Sequence, residues 1–124
     1  DSVLSIVVSD HIFEHYKHMP EGELTKMRAS LVCEKALFEF SKKIELGKYI
    51  FLGKGEEITG GRERPSIISD AFEAVIAAIY LDGGIEPVSK YILSFIPENI
   101  SANARMTATA FMIFLYPFIT LLLI

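Results

Sequence analysis

The chain has 124 residues, 51% of them hydrophobic and 23% charged, which is room for one domain with a modest core. Its net charge of −4 excludes a basic footprint over the whole surface, so any polyanion binding falls to local patches or bound cations. A single cysteine, Cys33, excludes an internal disulfide; a small buried thiol in a reducing, cytoplasmic compartment is the expectation.

The first residues carry no secretory signal pattern. The sequence starts at Asp1 in what reads as mid-helix, and so reads as a fragment. Residues 1–16 predict a helix, with Val3, Leu4, Ile6, Val7, Val8, Ile12, Phe13 and Tyr16 forming a wide apolar face. The polar residues His11, Glu14, His15 and His18 recur at helical spacing on the other side. Met19-Pro20-Glu21-Gly22 reads as a turn. A second helix is expected from Glu23, with Leu24, Met27, Leu31 and Val32 inward. Residues 33–44 continue as helix, burying Ala36, Leu37, Phe40 and Ile44, with Lys42 and Lys43 near the end where cations are favoured. Leu46-Gly47 ends it.

Residues 49–52 form a short apolar run, a strand or a single turn; four residues carry too little periodicity to choose. Residues 53–64 hold four glycines and several charges, which predicts a mobile surface loop. Its Lys54, Arg62 and Arg64 are solvated charges or weak phosphate contacts. Residues 65–84 then read as a helix, opened by Pro65 and closed by Gly83-Gly84. Almost every position between them is apolar, and a helix apolar all round predicts burial on every side. Residues 88–96 make one more short helix, closed by Pro97. From Ser101 the composition changes. Residues 106–124 carry no charge, long enough for a bilayer span of about 20 residues, with Arg105 the flanking charge. The rival explanation is a frame-shifted end without selected structure.

Asp70 and Glu73 stand out within the apolar helix. Three residues apart, they share a face. Two carboxylates in apolar surroundings repel each other and lose solvation unless a cation compensates, which makes them a candidate metal site. The competing reading is a capping box, with Asp70 as N-cap and Glu73 as its partner. His11-Ile12-Phe13-Glu14-His15 matches H-x-x-E-H, the inverted zinc-peptidase pattern. Its histidines share a face with Glu14 and His18, as a plain solvated stripe would, and no third ligand is evident. No P-loop, G-x-G-x-x-G, G-x-S-x-G or paired C-x-x-C occurs.

Three blocks, in order and with fitting spacing over about residues 1–96, together resemble the endonuclease domain of bacterial ribonuclease III. Asp1-Ser2-Val3-Leu4 resembles the end of that family's signature run, whose glutamate four positions earlier lies outside this sequence. The stretch from Glu21 to Val32 resembles its second helical block. The stretch from Arg64 to Asp82 resembles the block carrying its other acidic residues. The resemblance implies an all-α fold over residues 1–100, followed by the apolar tail 101–124 where those enzymes carry a double-stranded RNA-binding domain. It further implies that Asp1 and Glu73 are catalytic and that Asp70 and Glu73 hold Mg²⁺, with Mn²⁺ able to substitute. Glu21 would project into a socket on the partner of a homodimer. The implied reaction is hydrolysis of double-stranded RNA to 5′-phosphate and 3′-hydroxyl ends. Clustered carboxylates holding Mg²⁺ suit it, because it needs an activated water and neutralised phosphoryl oxygens. A non-catalytic helical domain that binds RNA or a partner, anchored to a membrane by residues 106–124, is the alternative.

Overall fold

The computed structural model describes residues 1–97; the tail and the span expected at 106–124 lie outside the described residues. Among the described residues there is no strand and no helix long and apolar enough to cross a membrane. The expected all-α class holds. Six helices follow in order: α1 (Ser2–His15), α2 (Glu21–Val32), α3 (Glu34–Lys43), α4 (Lys54–Ile58), α5 (Pro65–Gly83) and α6 (Ile85–Leu93). Short 3-10 turns at Leu46–Lys48 and Gly61–Glu63 flank α4.

The long helix α5 lies at the centre, packed against α3 and α6 and touched by α1. Pro65 occupies its first turn, where a missing N–H costs nothing. Gly84 stops it with φ 80, a conformation that side chains resist. Its inner face carries Ile68, Ser69, Phe72 and Ile76. Phe72 is 1% exposed and sits among three other rings: Phe95 at 5.2 Å edge-on, Tyr91 at 6.0 Å and Phe40 at 6.1 Å between centroids. Such offset and edge-on contacts add to simple area burial. Leu4, Val8, Met27, Leu37 and Val88 are among the other side chains buried in the core.

Several expectations are corrected. Helix α5 is not buried all round: Ala74, Ala77 and Ala78 are exposed, and Leu81 is 82% exposed. Without a polar stripe, its sequence does not mark which side the core takes. On α1, only Leu4, Val7, Val8 and Ile12 are buried, while Ile6 and Phe13 face solvent at 62% and 64% exposure. Helix α2 starts at Glu21 rather than Glu23, because acidic residues suit a first turn. Cys33 is half-buried at the α2–α3 junction, its thiol 3.5 Å from the Ser30 carbonyl.

The segment expected to be a mobile loop is stapled. Arg62 donates through Nη1 to the carbonyls of Gly47 at 2.9 Å and Ile50 at 2.8 Å. It also grips both oxygens of Glu57, at 2.6 and 2.8 Å, a fork-to-fork pairing that suits guanidinium. The pairing holds the Glu57 carboxyl below its ordinary range. Arg64 donates to Glu56 at 2.6 Å and to Thr59 at 3.0 Å. Gly47 is needed beneath this staple, since a Cβ there would meet the Arg62 carbonyl oxygen at 2.7 Å. Residues 50–53 form neither strand nor helix; the staple holds their backbone from the side. Arg62→Lys keeps the charge but loses the fork. We expect amide exchange across residues 47–64 to accelerate on the order of tenfold, with helices α1 and α5 unaffected. Unchanged exchange in that segment would show that the staple does not hold it.

Candidate active site

Asp1 precedes the first turn of α1 and makes no side-chain cap; its carbonyl accepts from Ser5 N–H at 2.9 Å. Helix α1 crosses α5 so that this end meets the middle of α5, the main-chain nitrogen of Asp1 lying 3.8 Å from Glu73 Oε2. The two residues are far apart in sequence and adjacent in space. Asp70 stands one turn before Glu73 on the same helix.

The capping-box reading fails here. Asp70 is the sixth residue of α5, well inside the helix, and α5 has no side-chain cap at its start. Nor are the two carboxylates in the apolar surroundings expected of them: Asp70 is exposed and the Glu73 side chain is 33% exposed. These carboxylates face solvent rather than an apolar interior, so their charge does not by itself require a cation. Among the described residues no group of three His, Cys, Asp or Glu is drawn together tightly enough to enclose an ion. The donor chemistry nonetheless fits Mg²⁺. That ion takes oxygen ligands and is usually held by one or two carboxylates, with water and substrate phosphate filling the rest. Asp70 and Glu73 supply such a pair, and the backbone of Asp1 comes close to Glu73 with its side chain exposed.

The described groove lies elsewhere, between α1 and α2. It measures about 430 Å³ and is lined by Ile6, Ser9, Asp10, Ile12, Phe13, Glu21, Leu24, Thr25 and Arg28. Glu21 stands on its wall. The outward Ile6 and Phe13 line it with apolar surface. Sequence reading missed Asp10 and Arg28, the other charges of this groove. Their only signal was recurrence at helical spacing beside Phe13 and Leu24.

The histidines of the H-x-x-E-H pattern do meet. The His11 and His15 rings are 4.2 Å apart between centroids. Partial burial, then the neighbouring His15, push the His11 pKa down, against a raising pull from Asp10. Glu14, the acid of the pattern, pairs with Lys17 at 3.6 Å. With no third ligand among the described residues, a zinc-peptidase centre finds no support.

Comparison with known proteins decides the family. The family model described as Ribonuclease-III-like matches residues 1–100. The chain belongs to the ribonuclease III family. Its relatives include the Ribonuclease 3 of Syntrophomonas wolfei, 53% identical over 104 residues. That alignment covers 84% of this chain and 45% of the relative. The Ribonuclease 3 of Clostridium beijerinckii is 56% identical over 101 residues, 82% of this chain and 44% of that one. The chain therefore spans less than half the length of the curated relatives it matches. Among solved structures, a nuclease domain of ribonuclease III from Campylobacter jejuni superposes with a TM-score of 0.75 at 41% identity. It covers 79% of this chain and 68% of that one, and is described as flexible in a region involved in dimer formation. A second structure of the Campylobacter jejuni nuclease domain gives 0.72 at 39% identity, covering 82% of this chain and 67% of that one.

Proposed function

We propose that residues 1–97 are the catalytic part of a Mg²⁺-dependent endoribonuclease that cuts double-stranded RNA as a homodimer, in the cytoplasm. The observation that carries this reading is the approach of Asp1 to Glu73, one turn from Asp70. Three acidic residues from two distant blocks thereby share one solvent-facing surface, open to a duplex.

Asp70 and Glu73 would hold the ion, which supplies charge neutralisation at the phosphoryl oxygens and a water of lowered pKa. Asp1 and Glu73 would orient that water and accept its proton. Their exposure leaves room for a phosphodiester, and the helix α5 core behind them keeps their spacing fixed. The products would be 5′-phosphate and 3′-hydroxyl ends. The test grafts residues 1–97 into the matching stretch of the Clostridium beijerinckii Ribonuclease 3. The hybrid should cut a double-stranded RNA with Mg²⁺ and not with a chelator, leaving those ends. A hybrid that folds and dimerises but never cuts would favour the non-catalytic RNA- or partner-binding alternative.

Dimerisation is assigned to the α1–α2 groove, where exposed Ile6 and Phe13 offer apolar area and Glu21 a charge at its edge. In the hybrid, Glu21→Ala should weaken self-association by roughly tenfold or more, as loss of an interface anchor does. Far-UV circular dichroism should not change. Sedimentation showing the parent dimer constant would remove Glu21 from the interface.

A further inference from the structure

His11 and His15 are left unused by the acidic site. They lie four residues apart near the end of α1, on one helical face, with rings 4.2 Å apart and tilted by 32°. The Nδ1 atom of His15 is 2.9 Å from the carbonyl oxygen of His11. A carbonyl oxygen only accepts, so Nδ1 carries the proton and Nε2 presents its lone pair outward. A ring N–H given to a carbonyl is also what orients metal-bound histidines. Of the neighbouring carboxylates, Glu14 pairs with Lys17 at 3.6 Å, while Asp10 lines the α1–α2 groove and lies near enough to His11 to exert a raising pull on it.

We propose that His11 and His15 form a two-nitrogen chelate for a divalent transition ion of the Zn²⁺ or Ni²⁺ class. Imidazole suits these ions, whereas Mg²⁺ prefers the oxygen-only donors of Asp70 and Glu73. The chain thus carries two cation sites of different chemistry. With no third protein ligand among the described residues, water fills the remaining positions, and the ion exchanges freely. By bridging the two histidines it fastens the last turn of α1, directly before the chain turns toward α2.

The test titrates Zn²⁺ and Mg²⁺ separately into the 124-residue chain, following binding by calorimetry and stability by thermal melting. Wild type is compared with His15→Asn and with His18→Asn, which alters a histidine beyond the end of α1. Wild type and His18→Asn should bind one exchangeable Zn²⁺, with a Tm that climbs with the logarithm of zinc concentration. In His15→Asn the zinc affinity should fall at least about tenfold, as expected when one of two ligands is lost. Excess Mg²⁺ should not displace the zinc. Equal affinity in His15→Asn, displacement by Mg²⁺, or no zinc-dependent response at all would each overturn the proposal. Should His15→Asn not fold, ring-proton shifts in the wild type decide: zinc must move those of His11 and His15 ahead of His18, and the reverse order overturns the site.

Discussion

Glu73→Gln in the hybrid nuclease is expected to abolish cleavage of double-stranded RNA while leaving the fold intact. The carboxylate faces solvent at 33% exposure, makes no hydrogen bond that the core depends on, and has Asp70 as a like-charged neighbour one turn away. Removing its charge should change folding stability by no more than about 0.5 kcal/mol, the size of a surface like-charge pair on a helix. Activity rests on other terms. Glutamine keeps the shape but supplies a neutral amide where the ion needs an anionic oxygen. The loss should well exceed the about 10–100-fold cost of removing a partner that merely supports a metal ligand. Melts and cleavage assays on the same samples separate the two effects. Cleavage within about twofold of the parent, well inside that support-only cost, would take Glu73 out of the site.

Phe72→Ala is expected to do the reverse, unfolding the domain rather than disabling a formed site. Phe72 is 1% exposed and meets Phe40, Tyr91 and Phe95, which come from α3, from α6 and from the residues just after α6. Truncating a buried phenylalanine costs about 3–5 kcal/mol through lost burial and the cavity left behind. A domain of this size has only about 5–15 kcal/mol in total. Phe72 also lies between Asp70 and Glu73 in sequence, buried where Asp70 is exposed and Glu73 is partly so. Its seating in the ring cluster sets the rotation of α5 that turns both carboxylates outward. Urea unfolding should show a midpoint lowered by a third or more, or no cooperative transition at all. Phe72→Leu, which keeps most of the volume, should retain a cooperative transition. A midpoint unchanged in Phe72→Ala would place the core elsewhere.

Much of this architecture was legible because helix signals are local. Pro65 and Gly84 bracket α5, and the spacing of Leu37 and Phe40 marks the inner face of α3. The acidic site was legible only through the three blocks together: no periodicity relates Asp1 to Glu73, and nothing local brings α1 across α5. What misled was apolarity without a stripe. On α5 the exposed Ala77 and Leu81 look no different from the buried Ile76, and on α1 Phe13 reads like Ile12. The stapled segment was missed for another reason. Arg62 reaches carbonyls 12 and 15 residues earlier in the chain, and a backbone acceptor leaves no mark on the residue types that carry it.

We propose that the start of α1 and the middle of α5 make one site for a hard divalent cation. Mn²⁺, added in trace amounts to isotope-labelled chain, tests it most directly, because the ion broadens NMR signals near wherever it binds. Broadening should appear first in two separate stretches, residues 1–4 and residues 69–74, and Mg²⁺ should reverse both together. Broadening confined to one stretch, or spread over acidic residues across the whole surface with no reversal by Mg²⁺, would contradict it.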